Sequence, residues 1–323
     1  MERRNFDLSD TKMDLSIIIT TFNTKSLLRK AIKTILEDAE LPSCQHEIIV
    51  VDNHSSDKTA ETIKEEFPAI QLIVNDRNFG ASVARNQGIK ASKGQYILLL
   101  DSDTFIRASA IITMLSFIKQ RPDCGAVGCK LLYADGRLQP SARKFPTVSS
   151  EIFHSLFLNK LIRGPVCERY TLLNWHHQSE REVDWIVLAC LLVRRNAIFE
   201  IGLLDENFFY GFEDTDLCYC LWQHGWKVIF TPDATAIHIG RQSIKGIMPE
   251  ISRQIYRAKL YFFEKHYNRK FLPIIKLTTG LGIITNLFAW QFSFVFQKNN
   301  RERAKSMMAE QFYLLKNILL GRV

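Results

Sequence analysis

"YILLLDSDTF", residues 96–105, runs apolar for five residues and then meets two aspartates, Asp101 and Asp103, with only Ser102 between them. A short apolar run bounded by Gly94-Gln95 and by Asp-Ser-Asp reads as a buried strand. Carboxylates at the end of such a strand are either a turn signal or ligands for a cation. Residues i and i+2 of a strand share a face, so both carboxylates can reach one site, with Ser102 as the spacer.

Upstream the same grammar repeats. "LSIIITTF" (15–22), "HEIIVVDN" (46–53) and "IQLIVND" (70–76) read as strands. "KSLLRKAIKTILEDA" (25–39), "DKTAETIKEEF" (57–67) and "ASVARNQGIKAS" (81–92) read as the helices between them. Continuous apolar strands alternating with helices predict an α/β layer on a mostly parallel sheet, with ligands bound outside the carboxyl ends of the strands. Three of those ends are polar: Thr20, Thr21, Phe22 and Asn23 on the first, Asp52 and Asn53 on the second, Asp101 and Asp103 on the fourth. In "NDRNFGASVARNQG", Gly80 can bring backbone close to a ligand and Arg85 can meet a diphosphate. Neither the G-x-G-x-x-G dinucleotide fingerprint nor a G-x-x-x-x-G-K-S/T loop is present.

The chain has 323 residues, 46% of them hydrophobic and 24% charged, which supplies ample core for one large domain or two smaller ones. A net charge of +8 suits anionic partners such as phosphates or an acidic membrane surface. No zinc-finger spacing or RNA-recognition signature accompanies it, so nucleic acid is not an expected partner. Seven scattered cysteines without a repeated C-x-x-C fit reduced structural thiols, and the polar start "MERRNFDLSDTKMD" lacks a secretory core. Both point to chemistry on the cytoplasmic side.

"SIIITTFN", "VVDNHSSD", "NFGASVARNQGI" and "GQYILLLDSDT", in that order, resemble the family 2 inverting nucleotide-sugar glycosyltransferases of GT-A fold. "VDWIVLACLLVRR" and "IGLLDENFFYGFEDTDLCYCLWQHGWKVIFTPDATAIHIG" continue the likeness, which is greatest to the bacterial rhamnosyltransferase branch. The resemblance implies a Rossmann-like, nucleotide-sugar-binding mixed sheet flanked by helices over residues 14–240, after a polar tail of residues 1–13. It also implies roles. Thr20, Phe22 and Asp52 match positions that hold the nucleotide base; Phe22 stands where tyrosine is common, and a carboxylate at Asp52 can accept a pyrimidine imide N–H. Asp101 and Asp103 match the family's D-x-D, where Mg or Mn bridges the protein to the donor's diphosphate, and His238 matches a third ligand found in some relatives. Asp214, in "GFEDTDLC", matches the general base; Glu213 would orient the acceptor, and Asp216 would cap the following helix. Leu188 replaces a usual glycine and is expected to narrow the space beside the donor sugar.

Residues 241–323 read as helical. Leu277–Gln297 is uncharged and long enough to span a bilayer, but Thr278, Thr279, Thr285, Asn286, Ser293 and Gln297 form a rough polar stripe, and basic residues flank both ends. An amphipathic helix lying in the interface of the inner leaflet, held partly by anionic lipid, accounts for both features, and an oligomer interface is the competing reading. The function expected from these features is transfer of a sugar, rhamnose among the candidates, from a UDP- or dTDP-sugar to a polyprenyl-diphosphate-linked or polysaccharide acceptor at the cytoplasmic face of the membrane. A sugar-nucleotide pyrophosphorylase would need a Gly-rich N-terminal loop that "TTFNTKS" lacks, and an inactive membrane-bound partner would not need the acids.

Overall fold

The computed structural model describes residues 13–155, 172, 175–240, 248–296 and 301–319. Two compact units divide the chain, one of Met1–Lys144, Trp175–Phe209 and Glu213–Ser243, the other of Phe145–Asn174, Tyr210–Phe212 and Ile244–Val323.

In the first unit the expected alternation appears element by element: β1 (Leu15–Thr21), α1 (Lys25–Leu36), β2 (His46–Asp52), α2 (Thr59–Glu66), β3 (Gln71–Val74), α3 (Ala81–Ala91) and β4 (Tyr96–Asp101). These four strands pair in parallel, in the spatial order β3-β2-β1-β4. Residues 15–19 of β1 and 96–100 of β4 are buried throughout. That is why both read as unbroken apolar runs rather than alternating ones.

Beyond β4 the sheet turns mixed. After β5 (Thr104–Ile106), α4 (Ala110–Lys119) and β6 (Cys124–Leu132) come the two-residue strands β7 (Leu138–Gln139), β8 (Ala142–Arg143), β9 (Arg181–Glu182) and β10 (Trp185–Ile186), then β11 (Cys190–Arg194) and β12 (Lys227–His238). The sheet extends in the order β4-β11-β6-β12-β5. β11 runs antiparallel to both β4 and β6, while β12 is parallel to β6 and antiparallel to β5. The register of β12 on β6 jumps from Thr231↔Cys129 to Thr235↔Lys130, so Pro232, Asp233 and Ala234 form a bulge. Proline lacks the N–H a central ladder requires, and a bulge re-aims the strand beyond it. The re-aimed end of β12 pairs with β5, putting His238 opposite Thr104, the residue after Asp103.

The second unit contains the helices α5 (Val148–Ser155), Met248–His266, Leu272–Phe296 and Arg301–Leu319. All but the last residue of Leu272–Phe296 lies in a stretch, Arg269–Val295, long and apolar enough to cross a membrane by length and composition.

Candidate active site

The site is built from strand ends. In the parallel register Thr21 lies beside Asp52 and Thr20 beside Asp101, so the ends of β2, β1 and β4 abut. Phe22 follows directly on Thr21 and is partly buried.

Asp52 is 1% exposed and its Oδ1 accepts the Ser55 N–H at 3.0 Å. Burial pushes its carboxyl up from the ordinary range, and the Ser55 donors pull it back. It does not cap the next helix. Asp57, before the start of α2, accepts from Thr59 N at 3.2 Å, and its other oxygen accepts from Lys25 N at 2.9 Å at the start of α1. Asn23 Oδ1 accepts from Ser56 N at 2.7 Å, so the loops after β1 and β2 are tied to each other. Asn53 extends the tie, accepting from Asn75 and the Phe79 N–H and donating to Asn78 and the Gly80 carbonyl.

Asp101, Asp103 and His238 each offer a ligand atom within 4.8 Å of the others. Asp103 is 5% exposed and lies 3.4 Å from His238 Nε2. His238 Nδ1 donates to Gln139 Oε1 at 2.9 Å, which directs Nε2 toward the carboxylates. Burial disfavours the imidazolium, yet the hydrogen bond it donates to Asp103 and the charges of both aspartates outweigh it and hold its pKa above the ordinary value. Two carboxylates and one imidazole, each oriented by a neighbour, are a donor set suited to a divalent cation of the Mn type.

Ser102 is more than a spacer. It is 3% exposed, and its Oγ lies 2.7 Å from Thr24 Oγ1, itself 2.8 Å from Thr21 Oγ1. This chain of hydroxyls fixes the turn between the two aspartates to the ends of β1 and α1.

Arg85 is 5% exposed, and each Nη reaches a different carboxylate: Asp101 Oδ1 at 2.8 Å and Glu213 Oε1 at 3.1 Å. Arg85 Nε and Glu213 Oε2 are buried without a hydrogen-bond partner. The guanidinium, for which the sequence suggested a diphosphate contact, joins the end of β4 to the helix Glu213–Gln223. That helix begins at Glu213, so Glu213, Asp214 and Asp216 all lie in its first turn, where the helix dipole favours negative charge. Asp216 sits inside the turn rather than capping it. Asp214 Oδ1 accepts from Thr215 N at 2.7 Å. Burial, reinforced by the neighbouring Glu213 charge, pushes the Asp214 carboxyl up to about 7 against the pull of Thr215 and Arg85.

Gly80 approaches protein, not open space. Its φ is +89°, Ala81 N donates to the Phe209 carbonyl at 2.8 Å, and a Cβ on Gly80 would sit 2.7 Å from that oxygen. Leu188 is 2% exposed and has no left-handed φ, so the backbone holds a leucine there without strain.

The family model for glycosyl transferase family 2 matches residues 16–169, the stretch that carries β1 to β4 and the Asp101–Asp103 turn. The chain carries a family 2 glycosyltransferase domain. It is 27% identical over 241 residues to the N-acetylglucosaminyl-diphospho-decaprenol L-rhamnosyltransferase of Mycobacterium tuberculosis, covering 69% of this chain and 75% of the relative. A mannosyltransferase from Pyrobaculum calidifontis, solved in complex with GDP-Man and Mn2+, superposes with a TM-score of 0.59 at 15% identity over 98% of this chain and 90% of that one. GalNAc-T7, solved with UDP, GalNAc and Mn2+, gives 0.54 at 19% identity over 78% of this chain and 50% of that one. At these identities the two structures speak to the fold alone, which for the transferase domain is GT-A.

What the sequence did not show is Gln139, the ties that Asn53 makes to Asn75, Asn78, Phe79 and Gly80, and the pairing of Arg85 with Glu213. Arg85 did leave a signal. Ser82, Arg85, Asn86 and Ile89 are spaced as one helical face, and all four are buried, so a charge on that face had to find a buried partner.

Proposed function

We propose that this chain transfers a sugar, with inversion, from a UDP- or dTDP-sugar to a polyprenyl-diphosphate-linked or polysaccharide acceptor in cell-surface glycan assembly. Rhamnose is the first donor sugar to test, because the mycobacterial relative is a rhamnosyltransferase acting on a diphospho-decaprenol-linked sugar. The observation that carries the reading is the convergence of Asp101, Asp103 and His238 at the strand ends. In this reading Asp101, Asp103 and His238 hold Mn or Mg, and the cation supplies positive charge that offsets the diphosphate as it leaves.

The other roles belong to this chain's own side chains. Thr20, Phe22 and Asp52 take the base: the Phe22 ring stacks on it and the Asp52 carboxylate accepts its imide N–H. Asp214 takes the proton from the acceptor hydroxyl while that oxygen forms its bond to the sugar C1. The bond from C1 to the diphosphate oxygen breaks with its electron pair leaving on the diphosphate. A carboxyl held near 7 suits this task, since it is substantially ionised at neutral pH yet basic enough to receive a proton. Arg85, bound to Asp101 and Glu213, positions the two acids rather than gripping the donor.

We assign catalysis to residues 14–240 and membrane contact to residues 241–323, placing the enzyme at the cytoplasmic face. Among the described residues Cys44, Cys124, Cys129, Cys190 and Cys218 are free thiols, which supports a reducing compartment.

The test is a screen of UDP- and dTDP-sugars with Mn or Mg against polyprenyl-diphosphate-linked acceptors, read by mass spectrometry. One metal-dependent product is expected, absent for Asp103→Ala. A product formed equally by Asp103→Ala, or none from any donor while UDP and dTDP with Mn leave thermal unfolding unmoved, overturns the reading.

A further inference from the structure

The helix Leu272–Phe296 turns its apolar side outward. Ile274, Leu277, Leu281, Ile284, Phe288 and Val295 follow one another at intervals of three, four or seven residues, which is a single helical stripe. All six are exposed, Leu277 at 63% and Phe288 at 73%. From Ile274 to Val295 the stripe runs about 32 Å at 1.5 Å per residue. Two of the polar positions expected to face water are turned the other way, Thr278 at 7% exposed and Ser293 at 9%, with Thr279 and Asn286 half-buried and Thr285 exposed; the Thr278 hydroxyl donates to the Ile274 carbonyl at 2.9 Å.

The opposite side of this helix lies against charged groups of its own unit. Lys259 Nζ reaches Thr279 Oγ1 at 3.3 Å and Glu151 Oε2 at 2.9 Å. The helix Arg301–Leu319 packs alongside it. That helix carries Glu310 and Tyr313, bonded to Ser252 and to Glu250 respectively. Were Leu272–Phe296 to cross a bilayer, these groups would be carried to hydrocarbon depth, where charged side chains are strongly disfavoured. Lying flat, the helix buries its stripe and leaves them on the aqueous side.

Charge at its ends selects among occupants. Among the described residues Glu264 and Glu302 are paired with Arg269 and Lys305, and Lys270, Lys276 and Arg301 are further exposed cations beside the stripe. A second copy would bring the same cations against themselves. An anionic headgroup layer complements them, and an acyl region accepts the stripe.

We propose that the stripe Ile274–Val295 is the membrane-docking face of this protein, seated in plane in a leaflet rich in anionic lipid. The inference rests on the lipid-linked acceptor reading and adds which face meets lipid, and at what angle. It is tested by co-sedimentation of the full chain with vesicles of phosphatidylcholine alone or mixed with phosphatidylglycerol. Wild type should bind the mixed vesicles more tightly. Leu281→Glu with Phe288→Glu should lower partitioning to both by about a hundredfold, from the loss of two buried apolar side chains. Lys270→Gln with Lys276→Gln should weaken binding to the anionic vesicles only. Thermal unfolding of each variant checks its fold, and a Leu277→Gln variant gives a milder change should the double variant unfold.

Unchanged partitioning of a folded stripe variant overturns the proposal. So does a wild-type dimer without lipid that Leu281→Glu dissociates, or bound protein that resists alkaline extraction as a spanning helix does. Sedimentation requires no turnover, so a failed donor screen with normal vesicle binding removes the enzymatic reading and leaves the docking face standing.

Discussion

Asp214→Asn separates the chemistry of the site from its stability. Asparagine keeps the Oδ1 that accepts from Thr215 but removes the charge that burial and Glu213 oppose. The rise of the Asp214 carboxyl from 3.8 to about 7 means that the folded protein holds a proton the unfolded chain releases. Each pH unit of difference corresponds to about 1.36 kcal/mol, so the ionised carboxylate costs the fold about 4 kcal/mol when fully expressed. Asp214 is only partly buried, and screening by solvent halves this to about 2 kcal/mol. The sign follows from proton counts. Below about pH 4 the carboxyl is protonated in both states and variant and wild type should unfold together. Between about pH 4 and 7 wild type loses stability as pH rises while the variant does not, and above 7 the gap is constant. At about 2–4 °C per kcal/mol for a domain of this size, the variant should melt about 4–8 °C higher at pH 8. Scanning calorimetry from pH 4 to 8 reads the gap, and initial rates with the donor found in the screen read turnover. Turnover should fall by about 10²- to 10⁴-fold, the usual contribution of a general base. A pH-independent gap would refute the electrostatic argument, and near-normal turnover would remove Asp214 as the base.

Other positions carry their own tests. Arg85→Met leaves Asp101 and Glu213 without their shared cation; breaking such a buried pair costs about 3–5 kcal/mol, so urea unfolding should shift by that amount, and an unshifted midpoint would show the bridge to be idle. Gly80→Ala places a Cβ 2.7 Å from the Phe209 carbonyl at a φ of +89°, and the backbone strain alone should lower stability by about 1–3 kcal/mol in the same assay; a neutral result would contradict the close approach. Gln139→Leu removes the acceptor that orients His238, so Mn affinity by calorimetric titration should fall about 10- to 100-fold, whereas unchanged affinity would argue against His238 as a ligand.

The parallel half of the sheet was legible in the sequence because burial on both faces writes an unbroken apolar run, and β1, β2 and β4 are written that way. β3 was legible for a different reason, its position between two helical patterns, although Gln71 and Val74 are exposed. The mixed half was less so. β5 has three residues and β12 carries a three-residue bulge, and neither gives a periodic pattern long enough to assign pairing. Yet that pairing is what brings His238 to Asp103. A ligand set that spans residues 101–238 is therefore invisible to spacing and reachable from sequence only through the family likeness. The C-terminal helix shows the converse. Its polar residues have a helical period, which carries no direction: Thr278 and Ser293 are buried while Thr285 is exposed. Packing against Lys259 and the helix Arg301–Leu319 decides which side faces inward.

Arg85 shows why a buried charge is informative once its partners are known. Its two carboxylates come from elements 112 residues apart (213 − 101), one ending β4 and the other opening the helix that carries Asp214. A guanidinium can hold both because its nitrogens form a fixed planar fork, a geometry that a lysine ammonium does not reproduce. Any displacement of Asp101 is thus passed to Glu213, and so to the residue beside it. The same fork makes the site sensitive to size as well as charge. Arg85→Lys retains the cation but reaches one carboxylate at a time, and should recover stability better than it recovers turnover. Equal recovery of both would mean that charge balance, rather than the tie between the two acids, is what Arg85 contributes.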